Sequence, residues 1–297
     1  MTVNLNKRNL SLLWSAQIIS AAGDAVYQLA LLWLVLDMTN SSTMTGLVAM
    51  SAYLPALIFG LYAGVMADKL NRLWLMMIAS AGQALTVLLI PFSLWFGYKN
   101  ILLVGGLAFL RSCFNTLFQP AFNSFIPMLF PKKRLVRVNA LLATSGQLAW
   151  MLGPFFAGVL LSISSLPNLF IIDSTSFIAA IFLLFFLRRP ARLTQLEEHN
   201  HWQELKDGLS YLAEQKPLFW MIIITFINNL FIMGPAIVGL PVLIKHIFHG
   251  SASDFAFAEG CMASGALLGS FIVSKFSKKF TKGAIWGIGL CLDGITY

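Results

Sequence analysis

Eight long apolar runs follow one another along the chain, at about 10–36, 43–67, 73–97, 100–126, 139–162, 168–187, 218–244 and 256–274. A ninth opens near Gly283 and reaches Tyr297. A helix needs about 20 mostly apolar residues to cross roughly 30 Å of hydrocarbon, so each complete run is long enough to span a bilayer. Backbone polar groups in lipid must be satisfied internally, and the runs lack the alternation of barrel strands, so helices are expected throughout. The first run contains Asp24, is longer than the apolar core of a signal peptide and has no small-residue cleavage site. With 58% of residues hydrophobic and 11% charged, against about a quarter charged in soluble domains, a cytosolic enzyme is excluded. The expected fold class is an all-α polytopic membrane protein.

The charges fix an expected orientation. Of the 20 Lys and Arg residues, seventeen fall on one side if the N-terminus is cytoplasmic. They lie before the first run, at Lys69 and Arg72, from Lys132 to Arg137, between Arg188 and Lys216, and from Lys275 to Lys282. Only Lys99 and Lys245 fall on the other side, and Arg111 lies within a run. This bias follows the positive-inside rule. The net charge of +8 therefore marks membrane sidedness, and nucleic acid is not an expected partner. Three parts are expected: a six-helix bundle over 1–187, a cytoplasmic linker over 188–217, and the start of a second bundle over 218–297. The linker carries an amphipathic helix over 202–215, with Leu205, Leu209 and Leu212 on one face. A repeat is visible, since Gly60 and Gly64 precede Lys69 and Arg72 much as Gly265 and Gly269 precede Lys275, Lys278 and Lys279.

Two motifs carry a family resemblance. Gly64-x-x-x-Asp68-Lys69-x-x-Arg72, after the second run, resembles the loop motif of the major facilitator superfamily. Gly64 allows close backbone approach, and Asp68 beside two cations can pair across a junction that opens and closes. In the fifth run, Gly146-x6-Gly153-Pro154-x3-Gly158 resembles the glycine-proline motif of the exporter branches. Small residues there let helices touch, and Pro154 bends the span. The family's paired glycines are replaced by Ala157 and Gly158. Ala22-Gly23-Asp24, Phe118-Gln119-Pro120-Ala121 with Pro131-Lys132-Lys133-Arg134-Leu135-Val136, and Asp173-Ser174-Thr175-Ser176-Phe177 resemble the macrolide-efflux-like, drug:proton antiporter branch.

The resemblance implies a proton-driven exporter of hydrophobic or amphiphilic small molecules in the cell membrane, with a proton gradient and no cofactor. It also implies twelve spans, of which this chain lacks the last three and part of the ninth. Asp68, held in the family partly by span eleven, would then lose a partner. A transport-inactive bundle, or a half-transporter needing a second chain, is the competing expectation.

Charges within the runs mark candidate sites, because each costs about 2.5–3.5 kcal/mol at the centre of a membrane. Asp24, with Gln17 and Gln28 on nearby turns, is the proton-coupling candidate. Arg111, with Asn115 and Gln119 on its face, resembles the superfamily's fourth-span arginine. The glutamine-glycine pair expected after it is Ser112-Cys113 here. Asp24 and Arg111 are expected to share one central cavity. Asn228 and Asn229 beside Gly234, Pro235, Gly239 and Pro241 mark a broken helix of the kind that lines a cavity. Asp173 is expected to cap the sixth helix, and Glu259 to sit at the interface or to take a role in a cavity. Trp14, Trp33, Met50, Tyr53 and Phe59 are candidates for a greasy wall. No HExxH, P-loop or GxSxG is present, and Cys113, Cys261 and Cys291 form no CxxC pair, so neither an enzyme nor a metal or disulfide framework is expected.

Overall fold

The computed structural model describes residues 2–187, 206, 210–212, 214–276 and 287–289. Among these, every regular element is helical. The helices are α1 Thr2–Thr39, α2 Ser42–Ser51, α3 Leu54–Lys69, α4 Arg72–Trp95, α5 Ile101–Leu129, α6 Lys132–Ile163 and α7 Leu166–Phe185. They continue with α8 Lys216–Asn228, α9 Gly234–Val242 and α10 Ala252–Phe276. Seven stretches are long and apolar enough to cross a membrane, α2 with α3 making one and Lys216–Ile247 the last. Side chains such as Leu57 and Leu102, more than four-fifths exposed, lie on an apolar outer surface suited to lipid.

Helix ends follow local chemistry. Ser41, Asn71 and Asn100 precede α2, α4 and α5, and their side-chain oxygens accept from the backbone N–H groups of Met44, Trp74 and Leu102. After α4, Gly97 takes φ +79°, a left-handed stop that glycine adopts without strain. Pro127 lies within α5, and Pro131 stands at the start of α6. The basic cluster from Lys132 to Arg137 occupies the first turns of α6, seven residues ahead of the expected apolar start. Cations there oppose the helix dipole, so helix stability does not account for their position.

Two spans depart from the expectation. The second is interrupted at Ala52 and Tyr53. Pro55 has no N–H to return to Ser51, and Ser112 Oγ of α5 donates to the freed carbonyl of Ala52. Ser112 thus has a structural task at a position where the expected glutamine is absent. The seventh span, expected to be broken, is continuous from Lys216 to Ile247, with π-helical turns at Asn229–Met233 and Leu243–Ile247. The wider turns precede or follow proline-containing helix, where the missing N–H must be accommodated. Linker residues 206, 210–212 and 214 are helical, and the rest of the expected amphipathic helix lies outside the described residues. Of the ninth span, only 287–289 are described.

Helix α1 is central. It packs on α6 and α7, α4 joins α5 to α7, and α6 also holds α10. The contacts use missing side chains. A Cβ at Gly153 would run into Ala25 of α1, and one at Gly158 would come within 3.2 Å of Ala256 Cβ on α10. Gly23 faces Asp173 and Ser176 of α7 in the same way. In lipid, where apolar side chains gain little by leaving the solvent, such close approach supplies the packing energy. Gly146 makes ordinary contact with Gln17, and Gly64, like Gly60, faces open space. The expected close approach at Gly64 is therefore not made in this conformation, because no described helix packs on that face of α3.

The two apolar cores are unequal. One joins the second half of α1 to α2, α5, α6 and α7 and includes Ile244, Phe255 and Ala256 from beyond the linker. The other, at the end carrying Ala67, Leu73 and Leu129, draws among the described residues on those before 188. Trp33 stacks on Phe255 with ring centroids 5.9 Å apart. Lys245 Nζ donates to Leu36 O and Asp37 Oδ1, each at 3.0 Å. The parts on either side of the linker are thus sealed together at the end away from Asp68 and Arg72.

Replacing Gly153 by Leu is expected to destabilise the purified protein by about 1–3 kcal/mol through overpacking against Ala25. Gly60→Leu, directed into open space, is expected to leave the melting temperature in detergent unchanged. Equal melting temperatures for both variants would contradict the close-contact role of Gly153.

Candidate functional site

A polar cluster occupies the interior of the helices before the linker. Arg111 projects from the middle of α5 and forms an ion pair with Asp24 of α1. Its Nη2 also lies 3.5 Å from Asp173 Oδ2 on α7. The guanidinium sits over the ring of Tyr27, 3.9 Å from its centroid, with Phe177 at 5.5 Å on another side. A cation flanked by two carboxylates and an aromatic face is held in hydrocarbon by attraction from each side. Asp173 has no exposed surface, whereas about a third of the Asp24 side chain is accessible. Asp24 is therefore the member of the cluster with access to an open space.

Asp24 and Arg111, expected to share one central cavity, are in direct contact, and Asp173 joins them, but of the two only Asp24 lines the small cavity described below. The capping role expected of Asp173 is not found: Ser165 precedes α7, and Asp173 lies two turns further in. Gly23 lets α7 approach α1 closely enough to bring that carboxylate to the arginine. Ser176 Oγ donates to the backbone oxygen of Asp173 at 2.7 Å, and Ser174 Oγ donates to Ala84 O of α4 at 2.9 Å. Ser174 thus ties this helix to α4, while Ser176 bonds within its own helix. A carboxylate eight residues into an apolar helix was the signal for this role.

Three cavities meet α1: one of about 620 Å³ beside Gly23 and Ser176, and two that hold candidate residues. A small one of about 70 Å³ is lined by Gln17, Asp24, Gln83, Asn115 and Gln119. It gathers the polar side chains expected to share a face with Arg111. A larger one of about 250 Å³ lies between α1, α6, α9 and α10, with Gln28, Tyr53, Trp150, Pro154, Phe255 and Glu259 in its wall. Gln28 stands one turn along α1 from Asp24, so consecutive turns of one helix serve both spaces. Glu259 lies two turns within α10 and lines this cavity, the second of the two roles expected of it.

Other candidates lie elsewhere. Asn228 and Asn229 are in neither cavity wall, and Asn229 Nδ2 donates to Thr225 O at 2.9 Å. The helix there is continuous, and the Asn229 amide serves its backbone at the π-turn. Of the candidate wall residues, Tyr53 reaches the cavity. Trp33 is buried against Phe255, Trp14 Nε1 donates to Ser145 Oγ at 2.8 Å, and Met50 and Phe59 are exposed. In the loop motif, Asp68 and Arg72 pair at 3.5 Å, Arg72 Nη1 contacts Met128 Sδ at 3.1 Å, and Lys69 is exposed. Among the described residues, no group of three His, Cys, Asp or Glu side chains could hold a metal.

Known proteins share this architecture. The macrolide efflux protein A of Streptococcus pyogenes is 25% identical over 272 residues, covering 89% of this chain and 65% of that protein. The MFS-type transporter YfiS of Bacillus subtilis is 28% identical, covering 98% of this chain and 71% of the relative. The staphyloferrin A transporter of Staphylococcus aureus is 23% identical over 89% of this chain. The chain thus spans about two thirds of the length of these relatives. A bacterial homologue of the human lysosomal transporter Spinster, crystallised inward-facing and unoccupied, matches with a TM-score of 0.68 at 16% identity. That match covers 93% of this chain and 64% of the homologue. The family model described as transmembrane secretion effector matches residues 3–290. This chain belongs to that family of major facilitator superfamily transporters.

Proposed function

We propose that the protein is a secondary transporter of the cell membrane that exports hydrophobic or amphiphilic small molecules in exchange for protons. The observation that carries this reading is the pair of spaces along α1, one polar and holding Asp24, the other apolar and walled by helices from both sides of the linker. Substrate binds in the apolar cavity, and the proton binds at the carboxylates on Arg111. With Asp24 and Asp173 both ionised the cluster carries one net negative charge; with one proton bound it is neutral. Taking up or releasing a proton therefore changes the charge of the bundle interior, where charge is costly. Gln28 provides the link, one turn from Asp24 and in the wall of the substrate cavity.

The direction rests on charge and packing together. The basic clusters support a cytoplasmic N-terminus. The end sealed by Lys245, Asp37, Trp33 and Phe255 is then external, and the conformation is the one that receives substrate from inside. Alternating access requires this seal to break while the opposite end closes. Gly60 and Gly64, which face open space here, are free to receive a helix in the other state. The relatives named for macrolide efflux support an amphiphilic cargo, and the absence of a nucleotide-binding sequence supports the proton gradient as drive.

Energised cells expressing the chain are expected to accumulate less of an amphiphilic substrate than control cells, and an uncoupler is expected to abolish the difference. Asp24→Asn at normal abundance is expected to lower uncoupler-sensitive efflux by about ten-fold or more, because it removes an ionisable group from the interior. Efflux unchanged by this substitution would refute proton coupling at Asp24. Asp173→Leu is expected to cost about 3–5 kcal/mol of stability, since it removes one partner of a buried ion pair. Asp173→Asn, which keeps a polar partner for Arg111, is expected to recover part of that loss, and equal melting temperatures for the wild type and both variants would contradict the ion-pair role.

A further inference from the structure

Among the residues lining the 250 Å³ cavity between α1, α6, α9 and α10, Glu259 is the one that carries a formal charge. It lies two turns into α10, half-buried, and opposite it stand Ala25, Leu29 and Leu32 of α1. Among the described residues no Lys, Arg or His pairs with its carboxylate and no hydrogen bond reaches it. Two cations of the helices around the cavity are engaged elsewhere. Arg111 is held by Asp24 and Asp173, and Lys245 by Asp37 and the carbonyl of Leu36. The uncharged polar groups of the wall, from Gln28, Tyr53 and Trp150, can hydrogen-bond but cannot balance a charge.

A carboxylate facing an apolar space without a counter-ion is costly. An occupant with one positive charge on an apolar body satisfies both the greasy wall and the carboxylate. A neutral amphiphile satisfies only the wall, and an anion is repelled. We propose that Glu259 is the ion-pairing group of the substrate cavity and selects monocationic amphiphiles over neutral and anionic ones. This rests on the reading of that cavity as the substrate site, and it adds the charge class of the substrate. It also separates two jobs. Asp24 and Asp173 answer to Arg111 inside one bundle, whereas Glu259 answers to the cargo from the far side of the seam.

Three probes that share one body test it: diphenylhexatriene, its trimethylammonium derivative and its propionic acid derivative. Binding to the full chain in lipid nanodiscs is followed by fluorescence titration against empty nanodiscs. The cationic probe is expected to bind about ten-fold tighter than the neutral one, a difference of about 1.4 kcal/mol. The anionic probe is expected to bind most weakly. Glu259→Gln is expected to abolish the preference, and Glu259→Asp to retain part of it. Wild-type binding without cationic preference, or an undiminished preference in Glu259→Gln, would overturn the proposal. If Glu259→Gln does not fold, Gln28→Glu supplies a second test, because a second carboxylate on the facing wall is expected to strengthen the preference. Failure to strengthen it would count against the proposal. Proteoliposome flux of the same probes keeps the two ideas apart. A charge preference that depends on Glu259 without flux of any probe would support the binding site and refute transport by this chain. Flux of the neutral probe with no cationic preference would do the reverse.

Discussion

A guanidinium in the middle of a membrane helix must be neutralised where it stands, and the arrangement of helices before the linker follows from that demand. Arg111 draws Asp24 from α1 and Asp173 from α7, and it rests on the ring of Tyr27. Three helices that are far apart in sequence are thereby tied at one depth. Gly23 is part of the same solution, because a side chain there would keep α7 away from α1. The arrangement leaves Asp24 partly accessible and Asp173 enclosed, so the tie that holds the bundle also exposes one acid to the polar cavity.

The remaining packing is asymmetric. Small residues on α6 allow it to touch α1 at Ala25 and α10 at Ala256, so one helix faces both sides of the seam. Aromatic stacking and the Lys245 contacts close one end, whereas the core at the other end draws on one side of the linker alone among the described residues. Closure at one end and separation at the other is what a rocking transporter needs of a single state. Two unpacked glycines on α3 mark a face for the other state.

Much of this was legible in the sequence, because a bilayer leaves few choices. Apolar runs of span length must be helices, and a lone arginine or aspartate within them must have a partner. The neighbourhood of Asp24 and Arg111 could be read in this way, as could the small-residue face around Gly153. Asp173 was misread because serines and threonine after an acid also describe a helix cap. Only the third dimension shows that its helix begins well before it. For Glu259 the sequence left the interface and a cavity both open, because an apparent boundary residue lies two turns within a helix that starts at Ala252. Asn228 and Asn229 looked like cavity amides beside a proline break, but π-turns absorb the prolines and keep the helix whole. The interruption at Ala52 depended on a hydroxyl from another helix, which no local pattern reveals.

The central claim is that the two carboxylates on Arg111 exchange a proton as substrate binds. Infrared difference spectroscopy of the purified chain in lipid, with and without a bound amphiphile, tests it most directly. The account predicts that a protonated-carboxyl band changes on binding and that this change is lost when Asp24 and Asp173 are both replaced by Asn. A spectrum showing no carboxyl change on substrate binding, or the same change in the double variant, would contradict it.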